Sequence, residues 1–243
     1  MGRLSSNYFL TYQQLKTFVP KWDYHLHSTF TDGKNTIEEM VNHALAIGME
    51  RIIFTEHTEP WLSQDGWFAE YVKQIRFFQK KEKGNIEILI GIESPAMDYE
   101  TSLEMTDEMD KHCDFILGAA HRYPGIGDKK IKDLSINDSI DFEFRTLMAL
   151  AHNPKIDAIA HIGATCTKYC GKFPEELMKK VIAAASKNGI AIEINHAYHS
   201  PIYKFLIMCK EKNTILTIGS NAHKKEDIGK IAKNNSEFFI QES

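Results

Sequence analysis

The sequence predicts an α/β fold whose parallel sheet is closed, or nearly closed, into a barrel. Three observations carry this. Short apolar, β-branched runs alternate with amphipathic runs of roughly 10–18 residues from about residue 21 onward. Seven such apolar runs follow one another, each separated by a helical pattern, which implies right-handed crossovers and parallel pairing. The 243-residue length suits one barrel, since single α/β barrels commonly hold about 200–250 residues. Periodicity alone also accommodates a doubly wound sheet.

The elements are read in order. Strands are expected at 22–28, 51–57, 86–94, 114–121, 156–163, 190–197 and 214–222. A helix at 36–48 opens on Thr36 with Glu39 three residues on, a capping box, and stops at Gly48. A helix at 174–188 opens on Pro174 and stops at Asn188-Gly189. Further helices fill 67–82, 101–110, 138–152, 201–211 and 225–234, and 124–137 reads as an exposed loop or lid. No linker or low-complexity segment divides the chain, so it is read as an N-terminal extension, 1–20, and one barrel domain, 21–243.

Composition excludes several classes. The 43% hydrophobic and 26% charged fractions are those of a globular protein, not of a disordered chain, a collagen or a coiled coil. A net charge of −4 argues against a basic nucleic-acid-binding surface. No apolar run is long enough for a membrane span, and the first twenty residues lack the apolar stretch of a signal peptide. A cytoplasmic protein with no membrane partner is expected. The four cysteines (Cys113, Cys166, Cys170, Cys209) then read as reduced thiols.

The polar residues carry the functional signal. Each strand ends in a group able to bind a metal: His25 and His27, His57, Glu93, His121, His161, Asn195-His196 with His199 nearby, and Asn221 followed by His223. In a parallel barrel these ends converge on the face where active sites form. Alternation places both imidazoles of His25-Leu26-His27 on one side of the strand. His43, His112 and His152 fall in helices and are read as ordinary residues. Imidazole nitrogen and carboxylate oxygen suit Zn²⁺, Mn²⁺ or Fe²⁺. The ligands outnumber the four that one zinc takes, so two or three divalent ions are expected. Such a charge favours an anionic substrate, a phosphate ester first of all.

Six motifs in order, DYHLHSTFTDG (23–33), FTEH (54–57), GIES (91–94), LGAAHR (117–122), IAHIG (159–163) and GSNAH (219–223), resemble the PHP (polymerase and histidinol phosphatase) superfamily. The likeness is nearest to its stand-alone, histidinol-phosphatase-like branch. It implies a distorted (β/α)₇, TIM-like barrel with up to three metals at the C-terminal strand ends. Carried over by motif, the first metal takes His25, His27, Glu93 and Asn221. The second shares Glu93 and adds His121 and His161. The third takes Asp32, His57 and His223. The chain departs from the family at Asn221, where aspartate is usual, so that ligand brings an oxygen but no charge.

The expected activity is hydrolysis of a small phosphate monoester by a metal-activated hydroxide. His25, Glu93, His121, Arg122 and His196 are the expected catalytic residues. Arg122, His196 and His199 are the expected substrate-binding residues, Arg122 because a guanidinium grips two phosphate oxygens. Glu56 alternates away from His57 and reads as structural. Trp61, Trp67 and Phe68 read as core or as pocket wall. The rival readings are a phosphodiesterase or nuclease of the same superfamily, and a metal-binding module without turnover because of Asn221. An amidohydrolase-like barrel, which also opens on His-x-His, is disfavoured by Glu93, His121 and Asn221 at the following strand ends.

Overall fold

The computed structural model describes residues 3–127, 129–199 and 201–233. Seven parallel strands each pair with their neighbours in sequence, in the order β1 to β7. They are β1 (Trp22–Leu26), β2 (Arg51–His57), β3 (Glu87–Pro95), β4 (Phe115–Ala119), β5 (Ala158–Ile159), β6 (Ala191–Ile194) and β7 (Leu216–Ile218). A doubly wound sheet would reverse this order at a switch point. Instead the sheet curls round until its two edges meet. The seam between β7 and β1 is closed by a Leu26–Ala222 bridge. Its hydrogen bonds run from His27 N to Ala222 O (2.9 Å) and from Ala222 N to His25 O (3.0 Å). Buried Asp23 reinforces the seam by accepting from the amides of Ser220 (2.9 Å) and Gly229 (2.8 Å).

The helices are α1 (Tyr12–Thr17), α2 (Ile37–Ala46), α3 (Trp67–Lys81), α4 (Asp107–His112), α5 (Ile136–Leu150), α6 (Ala164–Cys170), α7 (Glu175–Asn188), α8 (Ile202–Glu211) and α9 (Lys230–Lys233). The Thr36–Glu39 capping box is formed, and α7 ends on Gly189 at φ 69°. None of the described helices is long and apolar enough to cross a membrane.

Four expectations shift. The helix expected at 101–110 begins only at Asp107, because Thr106 caps it and Asp98 holds the amides of Glu100 and Ser102 in a turn. The helix expected at 225–234 divides into a 3₁₀ turn, Lys225–Asp227, and α9, with residue 234 outside the described residues. Helix α6 was not anticipated. Strand β5 is shorter than 156–163, since the amide of His161 donates to Glu193 (2.7 Å) instead of continuing the ladder. Residues 3–20 pack against the barrel. Leu10 bridges Leu216, and Leu10, Leu15 and Val19 are buried. The Arg51 guanidinium lies between the rings of Tyr8 (4.0 Å) and Trp22 (4.4 Å).

The barrel interior is layered. Tyr24, Ile53, Phe115, Leu117, Ala119, Ala158, Ala160 and Ala191 form an apolar plug. The alternate residues, such as Ile52, Phe54, Ile90, Ile116 and Ile192, face the helices in the larger core. A register slip between Asp23 and Leu26 breaks strict alternation in β1. Tyr24 thereby joins the plug, packing edge-on to Phe115 at 6.0 Å, while Leu26 turns to the outer core.

Helix α5 also brings Glu143 into the interior, where Tyr123 Oη donates to it (3.1 Å) together with the amide of Cys166. Burial pushes its carboxyl up to about 7. The folded state therefore holds a proton that the unfolded chain releases, and the associated stability is lost as pH rises from the ordinary carboxylate range through about 7. Urea titrations of wild type and Glu143→Gln at pH 5 and pH 8 test this. The wild type is expected to lose up to about 3 kcal/mol more than the variant across that interval.

Candidate metal centre

The strand register places the central groups. His57 on β2 stands opposite Glu93 on β3, and β4 leads directly into His121. Glu93 is fully buried at the C-terminal mouth. Its Oε2 lies 3.2 Å from His25 Nε2, 3.5 Å from His27 Nε2 and 3.2 Å from His57 Nδ1. Its Oε1 lies 3.2 Å from His121 Nε2 and 3.1 Å from His161 Nε2. On the open side, Asp32 Oδ1 lies 3.3 Å from His223 Nε2 and 3.6 Å from His57 Nε2. Among the described residues three groups are close enough to hold an ion: His25, His27 and Glu93; His57, Glu93 and His121; and His27, Asp32, His57 and His223.

These groups fit divalent metals. Both oxygens of Glu93, both nitrogens of His27, His25 Nε2, His57 Nδ1 and Asn221 Oδ1 are buried without a hydrogen bond. Native proteins rarely leave such atoms unsatisfied, and here several converge on one space. The donor set, imidazole nitrogen with carboxylate and amide oxygen, suits Zn²⁺, Mn²⁺ or Fe²⁺.

Protonation states divide. Burial lowers His25 and His121, but the carboxylates of Glu193 and Glu93 beside the first, and of Glu93 and Glu59 beside the second, outweigh it and push both rings up to about 10, so an ion bound there would displace a proton from each. Burial alone would raise Glu93, but the imidazoles of His121 and His25 hold its carboxyl well below the usual carboxylate range. Burial, with His57 and His25 alongside, keeps His27 well below the usual imidazole value, so its ring is neutral. Burial lowers His57 as well.

Sequence reasoning missed two carboxylates. Glu193 on β6 is buried, and its Oε1 lies 2.6 Å from His25 Nδ1. That contact fixes the ring so that Nε2 faces Glu93, the support a ligating histidine typically has. Strand β6 held the signal, because Glu193 interrupts an otherwise apolar run in step with inward-facing Ala191. Gly219 on the seam accommodates this pair, since a Cβ there would lie 1.9 Å from Glu193 Oε1. The second is Glu59, buried 3.4 Å from His121 Nδ1 and 3.5 Å from His57 Nδ1.

The other expected residues divide. Asn221 stands just past β7 at φ 54°, a left-handed conformation that asparagine tolerates better than most residues. Arg122 is held by Glu104 (2.6 Å) and lies 5.0 Å over the exposed Trp61 ring, beside His121 in a shared cavity. His196 is half-buried in the turn after β6 and belongs to none of the three groups. His199 does not meet the substrate-binding expectation. Its Nδ1 accepts from the amide of Asn195 (3.1 Å), its Nε2 donates to Ile162 O (3.2 Å), and its ring stacks on Phe205 at 3.8 Å. Burial pulls it down to about 4, so it stays a neutral structural group. Glu56 accepts from Ser28 N (2.8 Å) and Thr31 Oγ1, pinning the loop that carries Asp32. Phe68 is buried core, and Trp67 packs on Phe30 and Tyr71.

A parallel barrel with a carboxylate-bridged imidazole cluster at its C-terminal mouth defines a class, the metal-dependent hydrolases. Within it, the chain belongs to the PHP domain family, whose profile matches residues 23–197. The chain is similar to a probable phosphatase of Acetivibrio thermocellus, 28% identical over 220 residues, which span 86% of this chain and 81% of that protein. It is similar to the histidinol-phosphatase of Lactococcus lactis subsp. lactis, 28% identical over 237 residues, spanning 84% and 85%. In fold it matches the crystal structure of histidinol phosphate phosphatase from Lactococcus lactis complexed with zinc, L-histidinol and phosphate. That match has a TM-score of 0.70 at 21% identity and covers 90% of this chain and 94% of that one. The likeness is to the histidinol-phosphatase-like branch.

Two substitutions test the supports. Glu193→Gln is expected to weaken metal binding by about 10- to 100-fold in a chelator-competition titration, the usual loss when a ligand's carboxylate partner is removed. Gly219→Ala is expected to displace the His25–Glu193 pair and to lower the thermal midpoint of both metal-free and metal-loaded protein.

Proposed function

We propose that this chain hydrolyses a small phosphate monoester at the Glu93-centred cluster. The observation that carries the reading is the buried carboxylate of Glu93, with both oxygens unpaired by hydrogen bonds, inside five imidazoles. Membership of the PHP family and the phosphatase names of its relatives support it. The chain is an enzyme of the phosphatase kind.

His25, His27, Glu93 and Asn221 would hold one ion, Glu93 with His121 and His161 a second, and Asp32, His57 and His223 a third. Zinc is the first candidate because the Lactococcus lactis neighbour was crystallised with it. When bound, such ions neutralise phosphoryl oxygens and make a water acidic enough to attack near pH 7. Glu193 and Glu59 keep the ligand rings aimed. The apolar plug closes the site to water from below. Arg122 stands at the open side, within reach of an ester bound against His121. In the net reaction the ester P–O bond breaks, a water oxygen joins phosphorus, and the alcohol departs with a proton. No side chain becomes a covalent intermediate. Burial pushes the thiols of Cys113, Cys166 and Cys209 above their usual value, unsuited to attack.

Phosphate release from a panel of monoesters, histidinol phosphate included, with added Zn²⁺ or Mn²⁺ and with a chelated control, tests the proposal. Release is expected only with metal and is expected to vanish in Glu93→Ala. Asn221→Asp is expected to bind metal about tenfold more tightly, one added charge being worth roughly 1.4 kcal/mol there. An inert wild type beside an active Asn221→Asp would mark the chain as a metal-binding module without turnover.

A further inference from the structure

Glu59 stands where two of the proposed ion sites adjoin. It follows closely on His57, the last residue of β2, and the backbone holds it there. The amide of Thr58 donates to Glu93 O (3.2 Å), and the carbonyl of Glu59 accepts from the amide of Leu62 (3.0 Å). The Glu59 side chain is buried, and its two oxygens face two different rings. Oε1 lies 3.4 Å from His121 Nδ1, and Oε2 lies 3.5 Å from His57 Nδ1. Oε2 and His57 Nδ1 are each buried without a hydrogen bond. The opposite nitrogens of these rings point to separate groups. His121 Nε2 lies 3.2 Å from Glu93 Oε1, and His57 Nε2 lies 3.6 Å from Asp32 Oδ1.

We propose that Glu59 couples the second and third ions favourably, each ion fixing the ring that the other needs. The inference rests on the metal-dependent reading and deepens it. A neutral imidazole that binds an ion through Nε2 carries its proton on Nδ1. With both ions bound, His121 and His57 each present an Nδ1–H to Glu59, and a carboxylate has an oxygen for each. Glu93 Oε2 also lies 3.2 Å from His57 Nδ1, but an oxygen that serves an ion is a poorer acceptor, which leaves that proton to Glu59. An ion at either site fixes one ring and, through the shared carboxylate, sets the position and tautomer of the other. The next ion then meets a ligand already in place. Repulsion between the ions acts in the opposite sense, and it is the same with or without Glu59, so a comparison of backgrounds subtracts it. Glutamine at this position offers one carbonyl oxygen and turns an amine toward the other ring, so it serves one ring at most.

The test is a zinc titration against a competing chelator, with bound zinc counted by plasma mass spectrometry. The step that His161→Ala removes belongs to the second ion, and the step that His223→Ala removes belongs to the third. His223→Ala is expected to weaken the second ion about tenfold more in the wild-type background than in Glu59→Gln. Reciprocity requires His161→Ala to weaken the third ion by the same excess. Glu59→Asp, which keeps the charge but is too short to reach both rings, is expected to lose the coupling as well. A proton readout stands beside these. In zinc-loaded protein with isotope-labelled histidine, the Nδ1–H resonances of both His57 and His121 are expected to move in Glu59→Gln. Equal effects of His223→Ala in the two backgrounds, coupling retained in Glu59→Asp, or movement of only one resonance would overturn the inference and leave the metal centre standing. Failure of folded wild type to hold zinc would overturn the metal-dependent reading and the inference with it.

Discussion

The structure depends on one buried carboxylate. Glu93 sits where a charge is most costly, at the inner end of a strand and out of water, and five imidazoles from four other strand ends close around it. A lone carboxylate in that position would take up a proton or destabilise the fold. Here the surrounding rings hold it ionised, and their own free nitrogens converge with its oxygens on shared space. Neighbouring features serve that arrangement. Glu193 sets the tilt of His25, Gly219 leaves room for the pair, and the register slip in β1 gives Tyr24 to the apolar plug beneath.

Much of this was legible in the sequence because it obeys local rules. The seven apolar runs appear as seven strands in order, and the Thr36 capping box and the Gly189 stop are where periodicity puts them. The strand-end histidines were legible because they recur at one strand end after another, where a single imidazole would have read as an ordinary core or surface residue. What escaped depends on partners distant in sequence. Glu193 reads as one more polar residue until it is seen 2.6 Å from His25, 168 positions away. His199 reads as a companion of His196 until the backbone of Ile162 and Asn195 takes both its nitrogens. Strand β5 ends early for the same reason, a side chain on β6 capturing its next amide.

The environment of Arg122 shows how charge placement sorts function from structure. A strand-end arginine next to a ligand suggests phosphate binding. The ion pair with Glu104 and the contact with Trp61 give it a second, structural duty beside His121. Specificity in such a mouth resides in loops, which vary more freely than the strand ends that carry the metal ligands.

The seam between β7 and β1 has a consequence for how the molecule comes into being. His25 and His27 stand on one lip and Asn221 and His223 on the other, joined by a short bridge and the carboxylate of Asp23. The centre therefore draws its donors from positions 25 to 223 of the chain. A ribosome-bound fragment holding the first six strands already presents most of the imidazoles, yet it lacks the lip that completes the ring. Of the three ligand groups, the one formed by His27, Asp32, His57 and His223 crosses this seam, so an ion held there would act as a clasp between its two lips.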